Sequence, residues 1–578
     1  MNKIRPMILG FMVIQLLSSG CEKEPGFDGY PDQLTLETDK ATYLPGESVR
    51  FTLNEFPGSG YTIRYFHLDS LIHSHPLSGS SWTWMPPTED FKGYLITLSG
   101  PEGPASTVQT SIAIDVSSDW TRFPRYGFIS HFGESAPVTE VIRSLTRYRI
   151  NGLQFYDWHF RHHLPLAGTR SEPAASWKDI INRTNHRSTV SRYITEAHNR
   201  NMKALSYNLA YGATSTAQSE GVPATWFLYK DKSHAQPDLH VLPKPPFLSD
   251  IYVVHPGLTE WTTWLAQRND DVYAVYPFDG FHIDQLGDRG TLYDYDGKTV
   301  ALTGLFPGFI AAMKSAHSEK DLVFNAVNQY GQSQIASTDV GFLYTEVWSP
   351  NNGYADLARM ITTNEQYSGG KKRTVLAAYL NYDKASSPGE FNTPGVLMAN
   401  AVIFAFGGSH IELGEHMLGK EYFPNNNLKM PAGLTYRLTT FYDFLTGYQN
   451  ILRDGGSLNA VTVTAPDQAV TINQWPPVAG KISAIGRRFS NRQVIHLLNF
   501  SNNASLDWRD TNANRYPPMK LVNLKVVIQT GDPVKKVWAA SPDHRFGDPF
   551  LLDAQMESGR VTVTLPTLDY WTMLVLEW

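Results

Sequence analysis

The sequence of 578 residues contains a single cysteine, Cys21, close to its start. One thiol cannot form a disulfide within the chain, so a small fold stabilised by disulfides is excluded. Stability must come from hydrophobic cores instead. The chain is too long for one core, and the usual size of domains suggests about three.

Clusters of positive charge are also scarce. The longest basic run is Lys371-Lys372-Arg373, and the formal net charge is −6 with a pI near 6.3. Nucleic-acid binding needs a concentrated positive surface, so nucleic acid is not an expected partner.

Common catalytic and metal motifs are missing. The sequence has no Gly-x-Ser-x-Gly nucleophile elbow and no glycine-rich phosphate loop. His162 and His163 are adjacent, so their side chains would point apart, and no set of cysteines accompanies them. Neither a metal nor another cofactor is therefore expected.

The N-terminus has the features of an export signal. Met1–Arg5 is positively charged, residues 6–17 are apolar, and small residues come directly before Cys21. The apolar stretch is shorter than the ~20 residues of a membrane span. A cysteine at this place is typical of a bacterial lipoprotein, in which Cys21 would carry the lipid. The alternative is an ordinary secretory signal with an unmodified cysteine.

Hydrophobic patterning divides the rest of the chain into three parts. Residues 22–120 begin with a polar tether and continue as short alternating strands between Pro and Gly turns, which is typical of an antiparallel β-sandwich. Residues 121–453 alternate apolar runs with segments of helical period. Residues 454–578 return to strand patterns, with a last strand over residues 560–578, and predict a second β-sandwich. We therefore expect a multidomain protein with a central (β/α)₈ barrel.

Eight β/α units can be counted in the central part. The predicted strands are residues 126–132, 152–158, 203–210, 280–286, 322–328, 342–348, 374–380 and 409–415. The longest insertion, residues 211–256, follows the third strand and carries Trp226, Phe227 and Tyr229. In such barrels the C-terminal ends of the strands and the loops after them carry the chemistry.

Nearly every predicted strand ends in hydrogen-bonding or aromatic side chains. They are His131, Tyr156, Asp157, Trp158, Asn208, His282, Asp284, Asp288, Asn325, Asn328, Glu346, Trp348, Asn381, Tyr382, Glu412 and Glu415. This lining suits a polyhydroxylated ligand. The high aromatic content fits stacking on sugar rings, and it fits aromatic-rich sandwich cores equally well.

Two carboxylates stand out in this set. Asp284 ends an apolar run, so it either faces a cleft or caps the turn that follows. Glu346 interrupts an apolar strand, where an unpaired carboxylate is costly, so it either has a function or belongs to a tight ion pair. Burial beside Tyr344 and Trp348 would raise the pKa of Glu346, as a general acid requires. Two carboxyl groups across a cleft are what glycosidic cleavage needs.

Several longer motifs resemble glycoside hydrolase family 66. They are Tyr126-Gly127-Phe128-Ile129-Ser130-His131-Phe132, Asn151-Gly152-Leu153-Gln154-Phe155-Tyr156-Asp157-Trp158, the strand that ends in Asp284, and Tyr344-Thr345-Glu346-Val347-Trp348. The resemblance extends from about residue 30 to the end of the chain. It implies an N-terminal immunoglobulin-like sandwich, a catalytic barrel and a C-terminal sandwich.

The resemblance also implies roles for individual residues. Asp284 matches the nucleophile and Glu346 the acid/base of a retaining mechanism, with the carboxyl groups ~5 Å apart. The residues expected to bind substrate are Tyr156, Asp157, Trp158, His162, Asn208, His282, Trp348 and Glu412.

The family contains endo-dextranases and cycloisomaltooligosaccharide glucanotransferases. We expect a monomeric endo-dextranase that acts on dextran and isomaltooligosaccharides, held by a lipid at the bacterial cell envelope. The glucanotransferases are similar but carry an additional carbohydrate-binding module in the barrel, for which this chain has no room. A transferase that makes cyclic products remains the alternative within the family. A non-catalytic glycan-binding lipoprotein would be expected to lack one of the two carboxylates.

Overall fold

A computed structural model of the protein describes residues 34–101, 107–466, 470–557 and 559–578. The predicted signal sequence and Cys21 lie outside these residues, so the lipid anchor stays a prediction. Within the described ranges, no helix is long and apolar enough to cross a bilayer.

The central part of the chain forms one eight-stranded parallel sheet, in which the strands follow the order of the chain. They are β1 (Tyr126–Ile129), β2 (Gly152–Phe155), β3 (Lys203–Leu209), β4 (Gly280–Asp284), β5 (Asp321–Asn325), β6 (Leu343–Glu346), β7 (Thr374–Ala377) and β8 (Ser409–His410). The amide of Phe128 in β1 donates to the carbonyl of Leu413 after β8 at 3.1 Å, which nearly closes the barrel. Each strand falls at a predicted position.

A helix follows every strand of this sheet. The helices are α1 (Val138–Arg147), α2 (Arg187–His198), α3 (Thr259–Val275), α4 (Phe306–Ala316), α5 (Gln332–Ala336), α6 (Tyr354–Tyr367), α7 (Thr393–Ala405) and α8 (Ala432–Gly447), and a short helix, Gln449–Leu452, continues α8. Strand side chains alternate between two cores, as the period of two requires. Leu376 of β7 packs towards the helices, whereas Val375 and Ala377 fill the barrel interior.

Two antiparallel sheets precede the barrel. One contains Thr62–His67, Ser70–Pro76, Lys92–Ser99 and Val108–Val116, and the other contains Leu36–Thr38, Val49–Leu53 and Ser81–Trp84. They share one core, which includes Phe51, Tyr65 and Ile96. Ser70–Pro76 lacks a sequence signal because nearly all of its side chains are exposed.

Two further sheets follow the barrel. The larger contains Ser457–Asn459, Ile472–Gln474, Ile482–Arg488, Arg492–Asn499, Lys536–Ala540, Phe550–Leu551 and Trp571–Glu577, and the smaller contains Val463–Thr464, Leu521–Gln529, Gln555–Glu557 and Arg560–Leu568. The single strand predicted over residues 560–578 is wrong, because its two halves belong to different sheets. The Asp543 carboxylate accepts hydrogen bonds from the amides of Tyr570 (3.0 Å) and Trp571 (2.9 Å) and fixes the break.

The spacing of β4 and β5 depends on Gly280. A Cβ at this position would lie 2.2 Å from the carbonyl oxygen of Asp321, the first residue of β5. We expect Gly280→Ala to lower the free energy of unfolding by about 1–3 kcal/mol, because the strands must separate. Gly308→Ala in α4 is the control, since its Cβ meets open space and alanine favours helix. Chemical denaturation of both variants measures the effect, and equal stabilities would contradict this packing.

Candidate active site

A cleft of about 650 Å³ lies at the carboxyl ends of the barrel strands. It is lined by Tyr156, Asp157, His162, Ile180, Ile181, Tyr207, Leu209, His240, Leu242, Pro246, Phe247, Ile251, Asp284, Gln285, Leu286, Val327, Glu346, Trp348, Glu421 and Tyr422. Both carboxylates singled out from the sequence face this cleft. Loops after several strands add aliphatic side chains to the lining, among them Ile180, Leu242 and Ile251.

Asp284 is the last residue of β4. Its Oδ2 accepts a hydrogen bond from the hydroxyl of Tyr207 at 2.6 Å, and its Oδ1 accepts from Nδ2 of Asn325 at 2.8 Å. The amide of Gln285 also donates to Oδ1, at 2.8 Å. Asp284 therefore both caps the following turn and faces the cleft, so the two expectations for it hold together.

Glu346 is the last residue of β6. One carboxylate oxygen accepts a hydrogen bond from the hydroxyl of Tyr379, and the other accepts from the indole Nε1 of Trp348 at 3.4 Å. Its partners are thus neutral donors rather than the cation of a tight ion pair. A carboxyl group in this setting can hold or release a proton without losing its place.

Asn325 connects the two carboxylates. It ends β5, between β4 and β6, and its Oδ1 accepts from the backbone amide of Glu346 at 3.3 Å while its Nδ2 donates to Asp284. One side chain thus sets the position of Asp284 relative to the strand that carries Glu346.

The environment raises the pKa of both carboxyl groups. Burial raises the pKa of Glu346 to about 7, the charge of Asp284 adds to the rise, and the hydrogen bond from Tyr379 opposes it. Burial also raises the pKa of Asp284, against the lowering effect of its donors Tyr207 and Asn325. With three donors on its carboxylate, Asp284 is the better stabilised anion of the two.

Four of the predicted binding residues line the cleft: Tyr156, Asp157, His162 and Trp348. The ring of Tyr156 stacks on Phe423 with centroids 4.4 Å apart. Asp157 is 6% exposed, and burial raises its pKa to about 7 despite the opposing charge of Arg183.

Asn208 and His282 lie behind the cleft. Asn208 accepts at Oδ1 from His162 Nδ1 at 2.9 Å and donates to its carbonyl at 2.7 Å, so it holds His162 in place. His282 stacks on Tyr126 inside the barrel, and burial lowers its pKa to about 3. Both are buried supports of the site, so the expected contact with substrate is not what the structure shows.

Trp158 and Glu412 point away from the cleft, which corrects their expected role. Strand β2 ends at Phe155, and Asp157 has a φ of +48°, so the alternation that would turn Trp158 inward is broken. Trp158 packs against Tyr276 and Phe278 under the helices.

In the eighth unit, Ile411 takes the interior position, and Glu412 faces outward by the same period of two. Its carboxylate accepts from Asn400 Nδ2 at 2.7 Å and from the Tyr442 hydroxyl at 2.9 Å, inside the helical layer.

Tyr207 and Tyr379 were missed from the sequence. They sit in apolar runs and look like core residues. Alternation could have found them, because Tyr207 is two residues after the interior Leu205, and Tyr379 is two residues after the interior Ala377. The insertion after β3 does reach the cleft, but through residues such as Leu242 and Phe247 rather than the predicted Trp226, Phe227 and Tyr229.

One group of described residues has the composition of a cation site. His131, Glu415 and His416 bring possible ligand atoms within 4.8 Å of one another. In the structure His131 Nδ1 pairs with Glu415 Oε1 at 2.8 Å, and His416 Nε2 donates to the Phe423 carbonyl at 2.7 Å. These contacts give each of the three residues a structural role.

The sequence matches the family model for glycosyl hydrolase family 66 over residues 38–575. The chain belongs to this family. Its resemblance to family 66, expected from the motifs around Tyr156, Asp284 and Glu346, is thereby confirmed.

Relatives within family 66 include proteins of two activities. A cycloisomaltooligosaccharide glucanotransferase of Niallia circulans is 26% identical over 740 aligned positions, covering 100% of this chain and 76% of the relative. A dextranase of Streptococcus salivarius is 22% identical over 572 positions, covering 84% of this chain and 67% of the relative. A glycosidase or glycosyl-transferring enzyme is therefore the class that family membership supports.

Solved structures support the fold. A Paenibacillus sp. cycloisomaltooligosaccharide glucanotransferase, solved in complex with cycloisomaltoheptaose, has a TM-score of 0.84 and 25% identity, covering 94% of this chain and 99% of that one. A noncanonic maltogenic α-amylase from Thermotoga neapolitana has a TM-score of 0.50 and 11% identity, covering 79% and 99%. The second likeness concerns the fold alone.

The buried carboxyl of Glu346 should reduce the stability of this family 66 protein above neutral pH. Its pKa is higher in the folded than in the unfolded chain, so its favourable contribution is complete below about pH 4.5 and is lost as the pH rises through 7. We expect the free energy of unfolding of Glu346→Gln to be about 2–3 kcal/mol higher than that of the parent at pH 8, and to show no such gain at pH 4.

Urea denaturation at the two pH values measures this difference. Glu140→Gln, at an exposed position of α1, makes the same chemical change and should alter stability by less than about 0.5 kcal/mol. A gain at pH 4 as large as at pH 8 would show that the effect does not come from ionisation.

Proposed function

We propose that the protein is an endo-dextranase that hydrolyses internal α-1,6-glucosidic bonds of dextran to isomaltooligosaccharides by a retaining double displacement. The observation that carries the proposal is the pair of carboxyl groups at the ends of β4 and β6 that face one cleft. A retaining glycosidase needs such a pair, one as nucleophile and the other as acid and then base.

In the first step Asp284 attacks the anomeric carbon while Glu346 protonates the leaving O6. The bond from the anomeric carbon to O6 breaks, and a glucosyl ester of Asp284 forms. A pKa of about 7 leaves much of Glu346 protonated near neutral pH, as an acid requires. The donors on both oxygens of Asp284 keep its carboxylate oriented for the attack.

In the second step Glu346, now ionised, takes a proton from water. The water oxygen attacks the anomeric carbon, the ester bond to Asp284 breaks, and a chain end with the original anomeric configuration is released. Trp348 donates to Glu346 from one side and Tyr379 from the other, so the carboxylate stays in place between the two steps.

Substrate contacts are proposed for the residues that line the polar half of the cleft. Tyr156 and Trp348 offer ring faces and edges to a glucosyl unit, and Asp157 and His162 offer hydrogen bonds to hydroxyl groups. Asn208 supports His162 from behind and does not itself touch substrate in this proposal.

Transfer to a glucan hydroxyl in place of water is the second candidate. The glucanotransferase relative and the glucanotransferase structure favour it. The 740 aligned positions exceed the 578 residues of this chain, so that relative carries segments which this chain lacks. The dextranase alignment also has more positions, 572, than the 84% of this chain that it covers, so the dextranase carries additional segments as well. The length of the alignment therefore does not distinguish the two activities.

The arrangement around the barrel is part of the proposal. Residues 22–120 would form an immunoglobulin-like sandwich, residues 121–453 the catalytic barrel and residues 454–578 a second sandwich. The shared core of the two N-terminal sheets supports the first assignment. We further propose a monomer that is anchored through lipid on Cys21 to the bacterial envelope.

Incubation of the protein lacking residues 1–21 with dextran tests the activity. We expect rapid release of short linear isomaltooligosaccharides, with the α-anomer formed first when the products are followed by proton NMR. Asp284→Ala and Glu346→Gln should each lower the rate by about 10²–10⁴-fold. Asp288→Asn, four residues beyond Asp284 and exposed, should keep the parent rate.

Other outcomes of this experiment separate the alternatives. Cyclic products as the main species would establish the transferase. Binding of dextran without any cleavage by the parent protein would indicate a glycan-binding function, and a first-formed β-anomer would rule out retention.

The two tyrosine donors should act on opposite limbs of the pH profile. Tyr379→Phe removes a donor to Glu346, so the pKa of Glu346 rises and the alkaline limb of kcat/KM moves up by about one pH unit. Tyr207→Phe removes a donor to Asp284, so its pKa rises and the acid limb moves up. Profiles of kcat/KM from pH 4 to 9 measure both, and movement of the same limb in both variants would contradict the assigned roles.

A further inference from the structure

A buried cluster of arginines lies at the end of the barrel opposite the cleft. Arg373 directly precedes β7, Arg453 follows the helix Gln449–Leu452, and Arg487 belongs to the strand Ile482–Arg488 of the larger C-terminal sheet. All three line one small cavity. Their exposed fractions are 8%, 2% and 3%, so the three guanidinium groups are largely withdrawn from solvent.

Each of these arginines has one buried nitrogen with no acceptor among the described residues: Nε of Arg373, Nη1 of Arg453 and Nε of Arg487. Other nitrogens of Arg453 and Arg487 do have acceptors. Arg453 donates to the carbonyls of Gly407 (3.3 Å) and Pro124 (2.9 Å), and Arg487 donates to that of Gly455 (2.9 Å). An unused buried donor costs about 1–3 kcal/mol, more when it is charged, so three at one cavity point to a missing acceptor.

The charges around the cavity do not balance. Among the described residues, Glu365 and Asp454 are the carboxylates paired with the cluster: Glu365 lies 3.5 Å from Arg487, and Asp454 lies 3.5 Å from Arg373 and 2.5 Å from Arg122. Arg453 has no ion pair in the described part of the chain. Burial lowers its pKa, the nearby Arg125 and Arg373 lower it further, and the charge of Asp115 only partly opposes them.

We propose that this cavity binds a small inorganic anion of the size of chloride. The room inside it suits about one water-sized species, which favours a monatomic anion over phosphate or sulfate. An anion there would accept hydrogen bonds from the three unpaired nitrogens at once. It would also compensate the excess charge, which a water molecule would not do.

The anion would join two parts of the structure. Arg373 and Arg453 belong to the barrel, whereas Arg487 belongs to the C-terminal sheet, so one ion contacted by all three fixes the sheet against the amino ends of the strands. The carboxylates of the cleft stand at the opposite, carboxyl ends of the same parallel strands. The anion therefore affects stability and leaves the catalytic groups unchanged.

Thermal unfolding at constant ionic strength tests the proposal. Sodium chloride replaces sodium gluconate in steps, because gluconate is too large for the cavity. We expect a saturable rise in Tm of about 2 °C or more, as binding to the folded state alone requires. Arg487→Met should abolish the dependence on chloride. Arg488→Met is the matched control. Arg488 is the next residue along the strand, and its guanidinium pairs with Asp532 on the other face.

Further measurements keep the test decisive. Equal Tm values in chloride and gluconate, or the same chloride effect in Arg487→Met as in the parent, would overturn the proposal. A larger rise with sulfate or phosphate at the same concentration would overturn the choice of a monatomic anion. If Arg487→Met does not fold, crystals of the parent protein grown in bromide decide: an anomalous peak between the three guanidinium groups supports the site, and its absence refutes it.

Discussion

The side-chain amide of Asn325 is the contact on which the candidate active site depends. It accepts a hydrogen bond from the backbone of Glu346 and donates one to Asp284, so the three central strands of the barrel are joined at their carboxyl ends. In the parallel register Asn325 follows the pair of Ile283 and Phe324 and lies opposite Tyr344, two residues before Glu346. Gly280 keeps the register close at the other end of the same strands, where any side chain would collide with Asp321.

This arrangement makes the protein less stable than its cores alone would allow. Two carboxyl groups share a largely buried cleft, and burial raises the pKa of each. The surrounding side chains hold them there: neutral donors satisfy the oxygens, and the ring of Tyr156, which lines the same cleft, stacks on Phe423. Desolvation thus opposes folding while it raises the pKa of Glu346 to about 7, as its proposed acid/base role requires.

The C-terminal part of the chain supports the site as well. Arg509 donates to the carbonyl of Val347 and to Oδ1 of Asn352, each at 2.8 Å, and its guanidinium lies 5.8 Å from the ring of Trp348. The segment directly after Glu346 is thereby held by a residue more than a hundred positions away. The C-terminal part of the chain consequently meets the barrel beside the cleft through Arg509, and the arginine cluster joins the two parts at the opposite end.

The eight barrel strands, the family and the two carboxylates of the cleft could all be predicted from the sequence. Apolar runs with period-two alternation mark strands locally, and a carboxylate that ends or interrupts such a run is costly enough to be noticed. Tertiary structure alone decided which polar side chains reach the cleft. The positive φ of Asp157 turns Trp158 into the core. Glu412 faces outward and forms its hydrogen bond within the helical layer. Tyr207 and Tyr379 donate to the carboxylates only because folding brings the strands together. Arg373, Arg453 and Arg487 likewise meet only in the folded chain, because the charge balance of a site depends on neighbours that are distant in sequence.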